Sequence, residues 1–214
     1  MSAAADAAGL NVQVAVDRAA VDAAFAQARH LSARSGLSLP ALASPADLTP
    51  PYRTALVLGS AGRPLWERLL AASEPDRALP DPLDALTERS VEPLLDTLRA
   101  ADPTAQSAFP FRHARQLVPF QALTESRPWA QVRPLGILVH PRVGPWFAWR
   151  AVLLTALEVP TSLHETREAP CVACASPCVA SCPARAVDKA GFRWGDCVDY
   201  RLAEEPCRDT CLAR

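Results

Sequence analysis

The sequence predicts a protein of the α+β class, with a sheet-and-helix domain over residues 1–165 and a small cysteine-rich module over residues 166–214. Two observations predict this division. Helically spaced apolar positions and short apolar runs bounded by Pro and Gly share the first part. All seven cysteines lie between Cys171 and Cys211. The length of 214 residues suits one domain with an appendage, and 50% apolar residues suffice for a core. With 21 prolines and 8 glycines, prolines should punctuate the elements and stiffen the loops.

Residues 1–16 open with MSAAADAAGL and predict a frayed end or a short strand. From Asp17 to Arg34, Val21, Phe25, Ala28 and Leu31 recur at helical spacing, which predicts an amphipathic helix ending near Gly36. A Pro-containing loop follows over residues 37–51. Ala55 to Leu58 is a short apolar run between Pro51 and Gly59 and predicts a buried strand. Gly59-Ser60-Ala61-Gly62 should turn the chain into a helix begun at Pro64, with Leu65, Trp66, Leu69 and Leu70 inward. Helix N-termini attract anions, but the turn is neither GxGxxG nor a P-loop. A plain tight turn is therefore the favoured reading.

Ser90 is placed to cap a helix carrying Leu94, Leu95 and Leu98. Asp102-Pro103 resembles another helix start. Arg112, His113 and Arg115 stand close in sequence and could bind an anion, although a solvated basic face is the favoured reading. Leu135 to Val139 is strand-like, and Trp149 to Leu157 is nearly continuously apolar. Between them lies the turn His140-Pro141-Arg142-Val143-Gly144-Pro145. A hairpin around a rigid turn is expected, crowded by Trp146, Phe147 and Trp149. Arg150 is the oddity, a cation at the head of an apolar strand. A buried Arg needs an anionic partner.

The net charge is −1 with no basic tract, so no nucleic-acid surface is expected. No apolar run reaches the ~20 residues of a membrane span. The N-terminus has no basic region followed by an apolar stretch, and no twin arginine. A cytoplasmic, reducing location is expected, where clustered thiols are metal ligands more often than disulfides.

The cysteines begin with CVACASPCVASCP: Cys171, Cys174, Cys178 and Cys182, then Pro183. Cys197, Cys207 and Cys211 follow. The iron–sulfur run of bacterial ferredoxins is C-x2-C-x2-C-x3-C-P. Here the second gap is one residue longer. A cubane needs four thiolates converging on one small object, and short spacings let one turning loop supply three. Disulfides fit poorly, since the count is odd and no secretory signal precedes it. Structural zinc is the second alternative, but zinc sites usually offer two ligand pairs separated by a longer loop. Iron–sulfur ligation is the favoured reading.

The cysteine pattern resembles the two-cluster ferredoxin-like module of epoxyqueuosine reductases and corrinoid reductive dehalogenases. That module has a first run ending in Cys-Pro, an isolated Cys and a second run. The resemblance implies that Cys182, Cys197, Cys207 and Cys211 hold one [4Fe–4S] cluster. It implies three corners of a second on Cys171, Cys174 and Cys178. The eighth cysteine would be expected just beyond Arg214. One iron would otherwise take a non-cysteine ligand or an open site.

Residues 136–160 resemble the cobalamin-processing proteins of the cobalamin C type. The residues that carry this are Gly136, His140-Pro141-Arg142-Val143-Gly144-Pro145-Trp146-Phe147-Ala148-Trp149-Arg150 and Glu158-Val159-Pro160. This resemblance implies a flavin-nitroreductase-like fold with cobalamin held base-off over the sheet. It places Gly136, His140, Arg142, Trp146, Phe147 and Arg150 at the cofactor. The Arg matching Arg150 contacts glutathione in that family. A family Cys two positions before the His is Leu138 here, and those proteins carry no iron–sulfur module.

The two resemblances agree on cobalamin over a nitroreductase-like fold, fed by clusters. Together they imply an iron–sulfur oxidoreductase that binds and reduces cobalamin or a related corrinoid, with one or two [4Fe–4S] clusters. Its partners would be a corrinoid or small-molecule substrate and a low-potential donor of ferredoxin or flavodoxin type. Such clusters reach potentials down to about −700 mV. The alternatives are a ferredoxin-type electron-transfer protein without catalysis, or an iron–sulfur reductase of an unrelated small molecule. A tRNA-modifying role is disfavoured by the short, non-basic chain.

Overall fold

Four antiparallel strands in the order β1-β2-β4-β3 build the sheet: β1 Val12–Asp17, β2 Thr54–Ala61, β3 Gln106–Ala108 and β4 Phe147–Thr155. This computed structural model describes residues 2–24, 26, 52–112, 118–124, 134–160 and 170–203. The chain divides into two units. The first is Met1–Ser126 with Phe147–His164, and the second is Arg127–Trp146 with Glu165–Arg214.

In the first unit all eight residues of β2 are buried. That explains its unbroken apolar run, since a strand covered on both faces has no need to alternate. Ala15, Leu56 and Leu153 face one another across three strands, and Val14, Val57 and Val152 form the next row on the opposite face. The first face packs against helix α5 (Pro82–Arg99), which presents Val91, Leu94, Leu95 and Leu98, and against Ala5 of helix α1 (Ser2–Ala7). Each fully buried Leu or Val contributes roughly 1.5–3 kcal/mol. Residues 18–24 form helix α2, the described start of the helix expected from Asp17; its expected end lies outside the described residues.

Helix α3 (Pro64–Ala71) starts at the expected proline. Leu65 and Leu69 are buried, but Trp66 and Leu70 are half exposed. The inward stripe is narrower than expected, and the i, i+4 pair Leu65/Leu69 occupies it. Gly59 to Ala61 belong to β2, so the turn is Gly62-Arg63, with Gly62 at φ +75°. After a single turn of helix, α4 (Glu74–Arg77), α5 begins at Pro82, eight residues before the Ser90 expected to cap it. A proline at the first helical position has its φ already set and loses no needed N–H. Ser90 is buried inside the helix. Asp102 starts no helix. Its carboxylate accepts from the Thr104 hydroxyl at 2.6 Å, the Thr155 hydroxyl at 2.7 Å and the Ala156 N–H at 2.6 Å, fastening the end of β4.

The expected hairpin of Leu135–Val139 with Trp149–Leu157 does not form. Both edges of β4 are taken, one by β2 and one by β3. Residues 134–146 are turns, bends and bridge residues, among them the isolated His140–Gly144 bridge.

The second unit carries a 3-10 turn at Pro170–Ala173, helix α6 (Pro177–Ala180), the two-stranded hairpin β5 (Val187–Asp188) and β6 (Gly191–Phe192), and helix α7 (Trp194–Ala203). No helix among the described residues is long and apolar enough to cross a membrane.

Candidate functional site

In the first unit the β2–β4 ladder pairs Leu58 with Ala151 and then Gly59 with Trp149, so Arg150 is an extra residue on β4. This is a β-bulge, which re-aims one side chain without disturbing its neighbours. Trp149 and Ala151 stay buried, and Arg150 is half-buried. Its Nε makes no hydrogen bond among the described residues. Burial pulls the guanidinium below the usual Arg range, and Asp84, in the first turn of α5, opposes this. Burial raises the Asp84 carboxyl, and Arg150 is the strongest influence holding it down. Asp84 is thus the carboxylate that acts most strongly on Arg150. One turn on, Glu88 takes Arg112 in a two-pronged ion pair at 2.6 and 2.7 Å. His113 and Arg115 lie outside the described residues.

Opposite the bulge stands Gly59. A Cβ there would meet the Phe147 and Trp149 rings at 2.8 Å each. Those rings meet edge to face, 4.8 Å apart at 83°. A glycine is what lets two aromatics close over the strand.

In the second unit His140 and Gly144 exchange backbone hydrogen bonds of 2.8 Å in both directions. The His140 ring is buried, and its Nδ1 accepts the Arg142 N–H at 3.2 Å. The imidazole therefore helps to shape this turn. Gly144 closes it at φ +60°. Gly136 sits at φ +77° against Phe192, whose ring carbon would lie 3.0 Å from an added Cβ. Arg142 is exposed and Trp146 is 78% exposed. The six expected cofactor residues therefore divide, with Gly136, His140, Arg142 and Trp146 in the second unit and Phe147 and Arg150 in the first.

Cys171 lies in the 3-10 turn and its carbonyl accepts the Cys174 N–H at 3.4 Å. Ser176 follows at φ +57°, an unusual conformation for a side-chain-bearing residue. It takes up the extra residue of the second gap. Its N–H points to the Cys174 sulfur at 3.4 Å. Cys178 is on α6, Cys182 just beyond it, and Cys197 on α7. Cys171, Cys178, Cys182 and Cys197 are half-buried and Cys174 is exposed. Cys207 and Cys211 lie outside the described residues. Among the described residues no three His, Cys, Asp or Glu side chains converge as a metal site would require. Cysteine sulfurs on short turns, with a backbone N–H directed at one of them, are the donor type that an iron–sulfur cluster takes.

The chain is similar to a cobalamin enzyme. Over 88 residues it is 38% identical to the cyanocobalamin reductase / alkylcobalamin dealkylase of Bos taurus, a match covering 38% of this chain and 27% of that protein. Its fold is similar to that of epoxyqueuosine reductase from Streptococcus thermophilus, with a TM-score of 0.61 at 12% identity over 94% of this chain and 56% of that one. Another epoxyqueuosine reductase, solved with an epoxyqueuosine-modified tRNA stem loop, gives 0.59 at 12% identity over 92% of this chain and 54% of its own. At such identities the likeness shows the fold alone. No protein-family model matches the chain. The chain thus spans about a quarter of the bovine protein and about half of each reductase.

Sequence reasoning missed Asp84 and the close packing at Gly59. Asp84 had a usable signal, an acid in the first turn of a helix beside a strand with one unexplained Arg. Gly59 acts through contacts that no spacing announces.

Proposed function

We propose that this chain is an iron–sulfur oxidoreductase that binds cobalamin or a related corrinoid and reduces or processes it. The 38% identity to a cobalamin reductase, in a chain that also carries seven clustered cysteines, is the observation that carries this reading. The fold shared with epoxyqueuosine reductase over nearly the whole chain supports it. On this reading residues 1–165 are a nitroreductase-like domain for the corrinoid and residues 166–214 a ferredoxin-like module.

Cys182, Cys197, Cys207 and Cys211 would hold one [4Fe–4S] cluster, and Cys171, Cys174 and Cys178 three corners of a second. When bound, such clusters supply one-electron reducing power at low potential. The chain's own residues have narrower tasks. Arg150, lifted out of the β4 alternation and half-buried, offers a guanidinium with a free Nε donor to an anionic group of the ligand. Asp84 favours the charged form of that guanidinium. His140 and Gly144 hold the turn that carries Arg142 and Trp146. A soluble low-potential donor of ferredoxin or flavodoxin type would recharge the protein.

Two measurements on anaerobically purified protein test this. Iron and acid-labile sulfide should each reach about four or about eight per chain. Adding protein to cobalamin should shift the corrin absorption bands and saturate. An unchanged corrin spectrum removes the cobalamin reading. Zinc in place of iron and sulfide removes the redox one.

A further inference from the structure

Arg193 reaches to both sides of the second unit. Its Nε donates to the Asp196 carboxylate at 2.6 Å, one terminal nitrogen to the Asp188 carboxylate, and the other to the Arg185 carbonyl. Its backbone N–H donates to the Ala186 carbonyl at 2.7 Å. Arg185 stands at φ +51°, a conformation that costs a side-chain-bearing residue about 1 kcal/mol or more and persists only where its surroundings hold it. The Arg193 side chain is half exposed, and Asp196 and Asp188 both lower its tendency to lose a proton.

These bonds join two cysteines. The Arg185 N–H donates to the Cys182 carbonyl at 3.0 Å, and the Cys197 N–H donates to the Arg193 carbonyl at 3.2 Å. A continuous hydrogen-bonded path therefore runs from Cys182 through Arg185 and Arg193 to Cys197. Those cysteines are 15 residues apart, Cys182 just past α6 and Cys197 on α7, with only a two-residue-per-strand hairpin between them. Among the described residues, Ala186 and Val187 are the only fully covered apolar side chains between them. So small a core cannot fix the separation of two thiols, and a planar fork bonded to three acceptors can.

We propose that Arg193 is a positioning residue that holds Cys182 and Cys197 in register as ligands of one iron–sulfur cluster. This rests on the iron–sulfur reading above. Arg193 touches no sulfur; it acts through the Arg185 carbonyl and the first turn of α7. A lysine could keep one carboxylate contact but could not bond Asp188, Asp196 and the Arg185 carbonyl together.

The test compares full-length wild type with Arg193→Gln, Arg193→Lys and Cys182→Ser, all purified anaerobically. Iron, acid-labile sulfide and the paramagnetic resonance spectrum of the dithionite-reduced protein are read. Arg193→Gln should lose at least half of its iron, as Cys182→Ser does, and a variant combining Cys182→Ser with Arg193→Gln should lose no more than either. Arg193→Lys should keep more iron but show altered g-values, a change that mere loss of stability would not produce. Wild-type iron content and an unchanged spectrum in both Arg193 variants, even with a lowered melting temperature, overturn the proposal. Wild-type protein without iron and sulfide overturns the function reading and this inference together, a result plainly different from the first.

Discussion

The sheet unit buries Val14, Val57 and Val152 on one face and Leu56, Leu58 and Leu153 on the other, whereas the described part of the cysteine unit buries little beyond Leu138, His140, Ala186 and Val187. The first is a conventional two-sided core. The described part of the second is held by turns, by the Arg193 contacts and by hydrogen bonds at Cys171, Cys174, Cys182 and Cys197. A unit this small usually needs a metal, a disulfide or a partner to stay ordered. The difference teaches that the sheet unit has a hydrophobic core to fold on, while the described part of the cysteine unit has little; on the proposed reading, cluster ligation would supply the missing order.

On the iron–sulfur reading, removing cluster ligands gives the largest expected effect. In Cys182→Ser/Cys197→Ser, hydrogen exchange should speed up by on the order of 100-fold over residues 170–203, with β2 and β4 unchanged. Equal loss of protection in both units would break the comparison. In the sheet unit, Gly59→Ala drives a methyl into the Phe147 and Trp149 rings and should cost about 1–3 kcal/mol in urea unfolding, with iron content unchanged. Arg150→Ala should fold and keep its iron but bind cobalamin about tenfold more weakly, the loss of one charge-assisted hydrogen bond. Loss of folding would instead make Arg150 a structural partner of Asp84.

A smaller effect concerns acid. The Thr104 and Thr155 hydroxyls and the Ala156 N–H hold the Asp102 carboxyl down to about 2. A depressed carboxyl contributes stability that is present above its unfolded value of about 3.9 and is lost as pH falls through about 2. Asp102→Asn should therefore flatten the acid limb of sheet-unit stability between those values, as followed by far-ultraviolet dichroism. Smallest of all is Glu158→Ala. It breaks the exposed Arg53–Glu158 pair and should change stability by less than about 0.5 kcal/mol.

The strands at Ala55 and Trp149 were legible because a strand buried on both faces leaves an unbroken apolar run. The helix start at Pro64 was legible from the proline. Ser90 misled because a buried serine inside a helix looks the same in sequence as a cap; only the apolar positions reaching back to Leu83 and Leu86 could correct it. The expected hairpin failed for a topological reason. Sequence proximity favours pairing across a turn, but β2 and β3 held both edges of β4. At the candidate site, Arg150 and the cysteines stood out by residue type. The bulge that re-aims Arg150 and the Arg193 path did not, since both arise from pairings between distant or unpatterned residues.

The bulge makes β4 an unusual target for protein engineering. Deleting one residue from a strand normally turns every later side chain to the wrong face. Here the ladder already steps from Ala151 to Trp149 across consecutive partners Leu58 and Gly59. Excising Arg150 entirely would leave an uninterrupted ladder with both apolar faces in place. The strand can thus be read as a regular scaffold into which one cation has been inserted. Comparing the deletion with Arg150→Ala separates what the cation does from what the kink beneath it does.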